Sequence, residues 1–228
     1  MAMENSQPLP APIAAEQSYI QRVYQWMSLG LALTGFVAVG VSHSPSMIQT
    51  LAGGMFWILA LVEIGIVMWL SASVMSISPT AAAAGFLVYS AVNGLTLSFV
   101  FLVYTRASIA STFFITAGTF AAASFYGWTT KKDLTSYRGY LTMGLFGFLI
   151  ASAINYFFTA PLIYWLLTYV GVFLFIALTV YDVQKLKEIH QAGIFPTEQA
   201  AVLGALRLYL DFINMFILLL RLFGRRRD

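Results

Sequence analysis

Residues 205–224 read ALRLYLDFINMFILLLRLFG, a nearly continuous apolar run with Arg207, Asp211 and Asn214 in its first half. An α-helix needs about 20 such residues to cross a bilayer. A carboxylate at membrane depth is costly, and it usually faces the interior of a helix bundle, where it has a partner. This stretch therefore predicts an inward-facing helix of a membrane protein, with Asp211 paired to a group on another helix.

The composition of the whole chain agrees. Of the 228 residues, 60% are hydrophobic and 9% are charged, against about 25% charged in a typical soluble domain. Apolar runs near spanning length predict seven helices, at 23–41, 47–70, 81–104, 109–128, 140–158, 162–181 and 200–223. A membrane β-barrel would instead show alternating segments of about ten residues. The predicted fold class is an all-α integral membrane protein with seven transmembrane helices.

The domain organisation is simple. The longest connection between spans, residues 182–199, is too short to bury a core of its own. Residues 1–18 contain several prolines and have neither the basic nor the apolar region of a signal peptide, so we predict a disordered tail. The prediction is thus a tail at 1–18, a membrane domain at 19–224 and a basic tail at 225–228.

The residue types exclude some chemistry. The chain has no cysteine, which rules out disulfides and thiolate ligands from its own residues. His43 and His190 fall in predicted loops, so we expect no histidine metal cluster within the membrane. We also expect no tightly bound cofactor, no nucleic-acid partner and no enzymatic activity.

Basic residues near the span ends indicate the orientation. With seven crossings, one side holds six of them and the other side holds four, which slightly favours a cytoplasmic N-terminus. If the last segment were re-entrant, the balance would be nine to one, so the sequence leaves the side of the C-terminus open. The first side holds Arg22, Lys131, Lys132, Arg138, Lys185 and Lys187, and the second holds Arg106, Arg225, Arg226 and Arg227.

Three acidic residues lie at or near membrane depth: Glu63 in the second span, Asp182 at the end of the sixth and Asp211 in the seventh. At about 1.5 Å per residue, Glu63 and Asp211 fall in the half of the bilayer next to the loop that follows Asp182. The three carboxylates are therefore predicted to converge. Neutral partners on the third and fifth spans include Asn93, Thr96, Ser152 and Asn155.

The seventh span places its polar residues on one stripe, because Gly204, Arg207, Asp211, Asn214 and Leu218 recur at steps of three and four. Two close carboxylates resist ionising together and titrate as a unit. With one proton they share a hydrogen bond, and without it they repel each other or bind a hard cation through oxygen. The pattern predicts a pair whose charge changes with pH.

Simpler explanations remain open for each carboxylate. Asp211 could form an intrahelical pair with Arg207. Asp182 could be a solvated helix end paired with Lys185, and Glu63 could be protonated and neutral.

Three segments carry a resemblance to a known family. TVYDVQKLK at 179–187 and the run at 205–224 closely resemble the end of the Bax-inhibitor-one family of membrane proteins, in its bacterial branch. TTKKDLTSY at 129–137 is also similar. The resemblance implies a bacterial inner-membrane protein in which the last helix is central, surrounded by the other six. It also implies a pH-sensitive calcium leak channel or transporter, with calcium ions and protons as its partners in the lipid bilayer.

The resemblance further implies roles for single residues. Asp182 and Asp211 would form the pH sensor and the cation site, and so hold any calcium, while Glu63 would line the path. The chain departs from the family in two places, since no basic residue follows Glu63 in 68–79 and Arg207 stands where similar sequences have a small polar residue. We hypothesise that Arg207 supplies the counter-charge to the aspartates, with Asn214 also at the pore or gate.

Three other functions fit part of the sequence. An intramembrane aspartyl protease also uses two aspartates on adjacent helices, but Asp211 lacks the Gly-x-Gly lead of its second motif. A non-transporting regulator would use the charges to fix helix packing and would bind a membrane-protein partner, such as a protease or a stress-response factor. A transporter for another solute is the third, because the motifs do not identify the ion.

Overall fold

The computed structural model describes residues 11–191 and 198–227, without the side chains at 11–18, 52–53 and 190–191. Within these residues, seven helices are long and apolar enough to cross a membrane. They are α1 (Ala11–Ser42), α2 (Phe56–Ser73), α3 (Pro79–Leu97), α4 (Arg106–Thr129), α5 (Arg138–Phe158), α6 (Pro161–Gln191) and α7 (Glu198–Phe223). Shorter helices occupy Pro45–Thr50, Leu51–Met55, Val100–Val103 and Thr135–Tyr137.

The seven predicted spans and the all-α fold are confirmed, and three boundaries move. The second span begins at Phe56, because a short helix and a π-helical turn with Gly54 at φ 94° precede it. Helix α6 continues to Gln191, beyond the predicted end at 181. Helix α1 begins at Ala11, inside the segment predicted as a tail, and Pro12 suits the first turn of a helix. Residues 1–10 of that tail lie outside the described residues.

Local sequence explains several helix ends. Ser78 caps α3 by accepting a hydrogen bond from the Ala81 N–H at 3.2 Å, and Pro79 fits the first turn behind it. Thr105 caps α4 in the same way through the Ser108 N–H at 3.3 Å. These short polar breaks keep the connections tight, so consecutive spans run antiparallel.

Helix α7 is the centre of the bundle. In a window of 18 residues, 72% of α7 is buried, against 6% in α2 and in α5. Its main packing is against α1, α3, α4 and α6, whereas α2 packs mainly on α3 and α5 on α6. The last helix is therefore central, but among the described residues four of the other six helices provide most of its packing. Large apolar side chains on α2 and α5, such as Leu61 and Phe157, remain exposed and suit a lipid-facing surface.

The C-terminal tail settles the topology. The Thr105 N–H donates to the Arg225 carbonyl at 3.0 Å, and the Arg227 N–H donates to the Val103 carbonyl at 2.9 Å. The tail thus pairs with the connection between α3 and α4, while the start of α7 lies at the opposite end, where Glu198 contacts Arg22. Helix α7 crosses the whole bundle, so the re-entrant alternative is wrong and the C-terminus lies on the side of the α3–α4 connection.

Candidate ion site on the central helix

Asp182 of α6 and Asp211 of α7 are close enough to interact electrostatically. Thr179, almost one turn before Asp182, adds a hydroxyl next to the Asp211 carboxyl. Asp211 is only 5% exposed, and its Oδ2 atom has no hydrogen-bond partner among the described residues. A buried acceptor without a partner is costly. The arrangement can therefore accept a proton or a cation at the atom that lacks a partner.

Local ion pairs do not account for the aspartates. Arg207 acts electrostatically on both carboxyls, but in the described part of the chain it forms no ion pair with either. Its side chain is exposed on α7. Lys185 contacts Glu188 at 3.2 Å rather than Asp182. The two simpler explanations for Asp182 and Asp211 are thus not realised, and Arg207 acts on them from a distance.

Glu63 belongs to a different polar cluster. It accepts a hydrogen bond from the Thr96 hydroxyl at 2.5 Å and another from the Asn93 amide at 3.3 Å, between α2 and α3. Among the described side chains, no group of three or more His, Cys, Asp and Glu residues could hold a metal ion. The predicted convergence of three carboxylates is therefore wrong. Depth along a helix gives a residue's height in the bilayer, but it does not tell which side of the central helix the residue faces.

The other predicted polar residues serve their own helices. Asn214 is half-buried and donates to the Leu210 carbonyl at 2.8 Å. Asn155 accepts from the Ala160 N–H at 3.1 Å, next to Thr159, which follows α5 directly and has a left-handed conformation with φ 47°. Asn155 thus stabilises a turn rather than a site. Asn214 lies three residues after Asp211 on α7, but among the described residues it makes no hydrogen bond to Asp211 or Asp182.

Sequence reasoning missed Tyr209, which is fully buried on α7. Its hydroxyl donates to the Asn93 side chain at 3.0 Å and lies 2.6 Å from the Thr34 hydroxyl. A buried tyrosine usually finds such a partner. The available signal was a tyrosine two residues before an intramembrane aspartate, on a helix that carries few other polar groups.

Comparisons with known proteins agree with this architecture. The model of the family described as "Inhibitor of apoptosis-promoting Bax1" matches residues 16–228. The inner membrane protein YbhL of Escherichia coli (strain K12) is 44% identical over 222 residues, which cover 95% of each chain. An uncharacterized protein of Borreliella burgdorferi is 40% identical over 221 residues, again 95% of each chain. The uncharacterized protein RP147 of Rickettsia prowazekii is 36% identical over 213 residues, 92% of this chain and 90% of that one.

Proposed function

Because the chain belongs to the family of inhibitors of apoptosis-promoting Bax1, we propose that it is a pH-sensitive calcium leak channel or transporter of the bacterial inner membrane. The observation that carries the proposal is the Asp182–Asp211 pair, in which a buried carboxylate oxygen on the central helix lacks a hydrogen-bond partner. The location rests on the seven spans and on the relative whose name places it in the inner membrane.

The pair supplies a switch. When the two carboxyls share a proton, they hold α6 and α7 together through a hydrogen bond. When both are ionised, they repel each other and present oxygen atoms, which are the ligands that a hard cation such as calcium prefers. The Thr179 hydroxyl lies beside Asp211 and adds a further oxygen. A change in pH is thereby converted into a change in the contact between the central helix and its neighbour.

Arg207, Asn214 and Glu63 act around this pair. Arg207 interacts electrostatically with both aspartates and tempers their repulsion without contacting either. Asn214 lies three residues beyond Asp211 on the half-buried side of α7. Glu63, held by Asn93 and Thr96, places a third acidic group on the opposite side of the central helix. These three residues are the candidates for the pore or its gate.

Reconstitution into liposomes loaded with a calcium dye tests the proposal over about pH 6 to 8, the range in which a carboxyl perturbed by its surroundings can titrate. We expect calcium flux whose pH dependence disappears in Asp182→Asn and in Asp211→Asn. Flux with an unchanged pH profile in both variants would contradict the assignment of the sensor. No flux from any form would favour the alternative, a non-transporting regulator that binds a protease or a stress-response partner in the membrane.

Asp133→Asn is a matched control in the loop between α4 and α5. Hydrogen bonds from the Thr135 hydroxyl and the Thr135 N–H lower the pKa of Asp133 below its ordinary value. A carboxyl with a lowered pKa stabilises the folded state above the acid range, and that contribution is lost only as the pH falls through its folded pKa. Asp133 therefore stays ionised over the tested range, and its replacement leaves the pH profile unchanged.

A further inference from the structure

A chain of hydrogen bonds joins α2 to the central helix. The Asn93 amide donates to Glu63 at 3.3 Å, and its carbonyl oxygen accepts from the Tyr209 hydroxyl at 3.0 Å. The Thr34 hydroxyl lies 2.6 Å from the Tyr209 hydroxyl and 2.8 Å from the Ser90 carbonyl, and because Tyr209 donates to Asn93, the single Thr34 proton serves these two acceptors. Tyr209 thus occupies the point where groups from α1, α2, α3 and α7 meet.

This chain lies in the interior of the bundle. Tyr209 is 0% exposed, Thr34 is 2% exposed and Asn93 is 7% exposed. The Tyr209 ring also packs edge-on against Phe86 and Tyr89, with ring centres 5.6 and 5.7 Å apart. The hydroxyl therefore has one set of partners and little freedom to leave them. An interhelical hydrogen bond of this kind shifts an equilibrium by about threefold on average.

Tyr209 and Asp211 lie on opposite faces of α7. They are two residues apart, which corresponds to about 200° around a helix of 3.6 residues per turn. Tyr209 accordingly faces α1 and α3, through Thr34 and Asn93, whereas Asp211 faces Asp182 on α6. A rotation of α7 that breaks the hydrogen bonds of Tyr209 must also move the Asp211 carboxyl relative to Asp182.

We propose that Tyr209 is a positioning residue whose hydroxyl fixes the rotation of α7, so that Asp211 faces Asp182, and that it links this rotation to Glu63 on α2. The importance of this link for calcium movement rests on the proposed function. The position of Asp211 itself is measurable without any transport.

The test uses an apolar carbodiimide, which modifies carboxyl groups that it can reach within a membrane, with labelling of Asp211 quantified by mass spectrometry. Asp211 is buried, so labelling requires a local opening of the bundle. Tyr209→Phe removes the hydroxyl and keeps the ring, and we expect labelling of Asp211 to rise by about threefold. Thr34→Val removes the neighbouring hydroxyl from α1, and the same rise is expected, which keeps the test decisive if Tyr209→Phe does not fold.

Tyr89→Phe is the matched control. It also removes a tyrosine hydroxyl from this cluster, but the Tyr89 hydroxyl makes no hydrogen bond within the described chain. Its labelling stays at the level of the unaltered protein. Unchanged labelling in Tyr209→Phe and Thr34→Val, or an equal rise in Tyr89→Phe, would overturn the inference. Calcium flux measured on the same variants is a separate test from the labelling. Absence of flux in the unaltered protein would refute the proposed function, and the labelling result would still decide the role of Tyr209.

Discussion

Trp26 of α1 donates its indole N–H to Glu198, the first residue of α7, at 2.6 Å. Arg22, about one turn before Trp26, contacts the other oxygen of the same carboxylate at 3.3 Å. A carboxylate in the first turn also interacts favourably with the positive end of the helix dipole. Glu198 therefore anchors the start of the central helix to α1.

Glu198→Gln is expected to lower the stability of the protein. It removes the charge that Arg22 faces and weakens the bond from Trp26, which together contribute about 1 kcal/mol. For a chain of this length, that corresponds to a decrease in Tm of about 2–4 °C, measurable by thermal unfolding in detergent. Glu188→Gln is the control, because Glu188 makes a similarly exposed pair with Lys185 at 3.2 Å but accepts no bond like the one from Trp26, so its loss costs less. Equal decreases in Tm for the two variants would contradict the special role of Glu198.

Gly127 of α4 permits a close approach to α6 next to the candidate site. A Cβ atom at this position would lie 2.5 Å from the carbonyl oxygen of Val180, two residues before Asp182. Because the contact is to backbone, Gly127→Ala must separate the two helices, at a cost of about 1–3 kcal/mol. We expect a lower Tm together with a shifted pH profile of calcium flux. Gly118→Ala on the same helix is the control, since nothing lies within 4 Å of its added Cβ, and a Tm as low as that of Gly127→Ala would argue against the steric explanation.

The seven spans could be predicted because the length of an apolar run is a property of local sequence, and the pairing of Asp182 with Asp211 followed from similar depth on consecutive helices. The number of helices around α7 could not be predicted in this way. That number depends on which faces of α2 and α5 meet lipid, and both helices are apolar over most of their surface.

Glu63 and Tyr209 show where sequence reasoning stops. Counting residues along the second span gave the height of Glu63 in the bilayer correctly. The side of α7 on which Glu63 lies depends instead on the packing of α2 against α3. Tyr209 is one of 12 tyrosines in a chain that also has 19 phenylalanines. Only tertiary structure distinguishes a tyrosine whose hydroxyl has a buried partner from one whose ring merely fills space.

Arg207→Ala tests the electrostatic effect of the exposed arginine on the aspartates. A lost positive charge favours the protonated pair, so the pH midpoint of calcium flux is expected to move to higher pH. An exposed charge interaction of about 0.2–1 kcal/mol corresponds to about 0.1–0.7 pH unit. Arg207→Lys keeps the charge and is expected to retain the midpoint. Arg221→Ala removes another arginine of α7, one that stacks over Tyr164 of α6, and it controls for the loss of any basic residue. An unchanged midpoint in Arg207→Ala would remove the hypothesis.

The last prediction concerns the tail after α7, whose contacts are mainly with backbone. Truncation after Gly224 removes the two hydrogen bonds to Thr105 and Val103 and the bond from the Arg225 N–H to the Ser108 hydroxyl at 2.9 Å. At about 0.5–1.5 kcal/mol for each bond, we expect a clear decrease in Tm and faster proteolysis of the α3–α4 connection. Arg225→Gln keeps every one of these backbone bonds while removing a charge, so its Tm should match that of the unaltered chain. If Arg225→Gln destabilised the protein as much as truncation, the tail would act through its charge at the membrane surface rather than through its pairing with the α3–α4 connection.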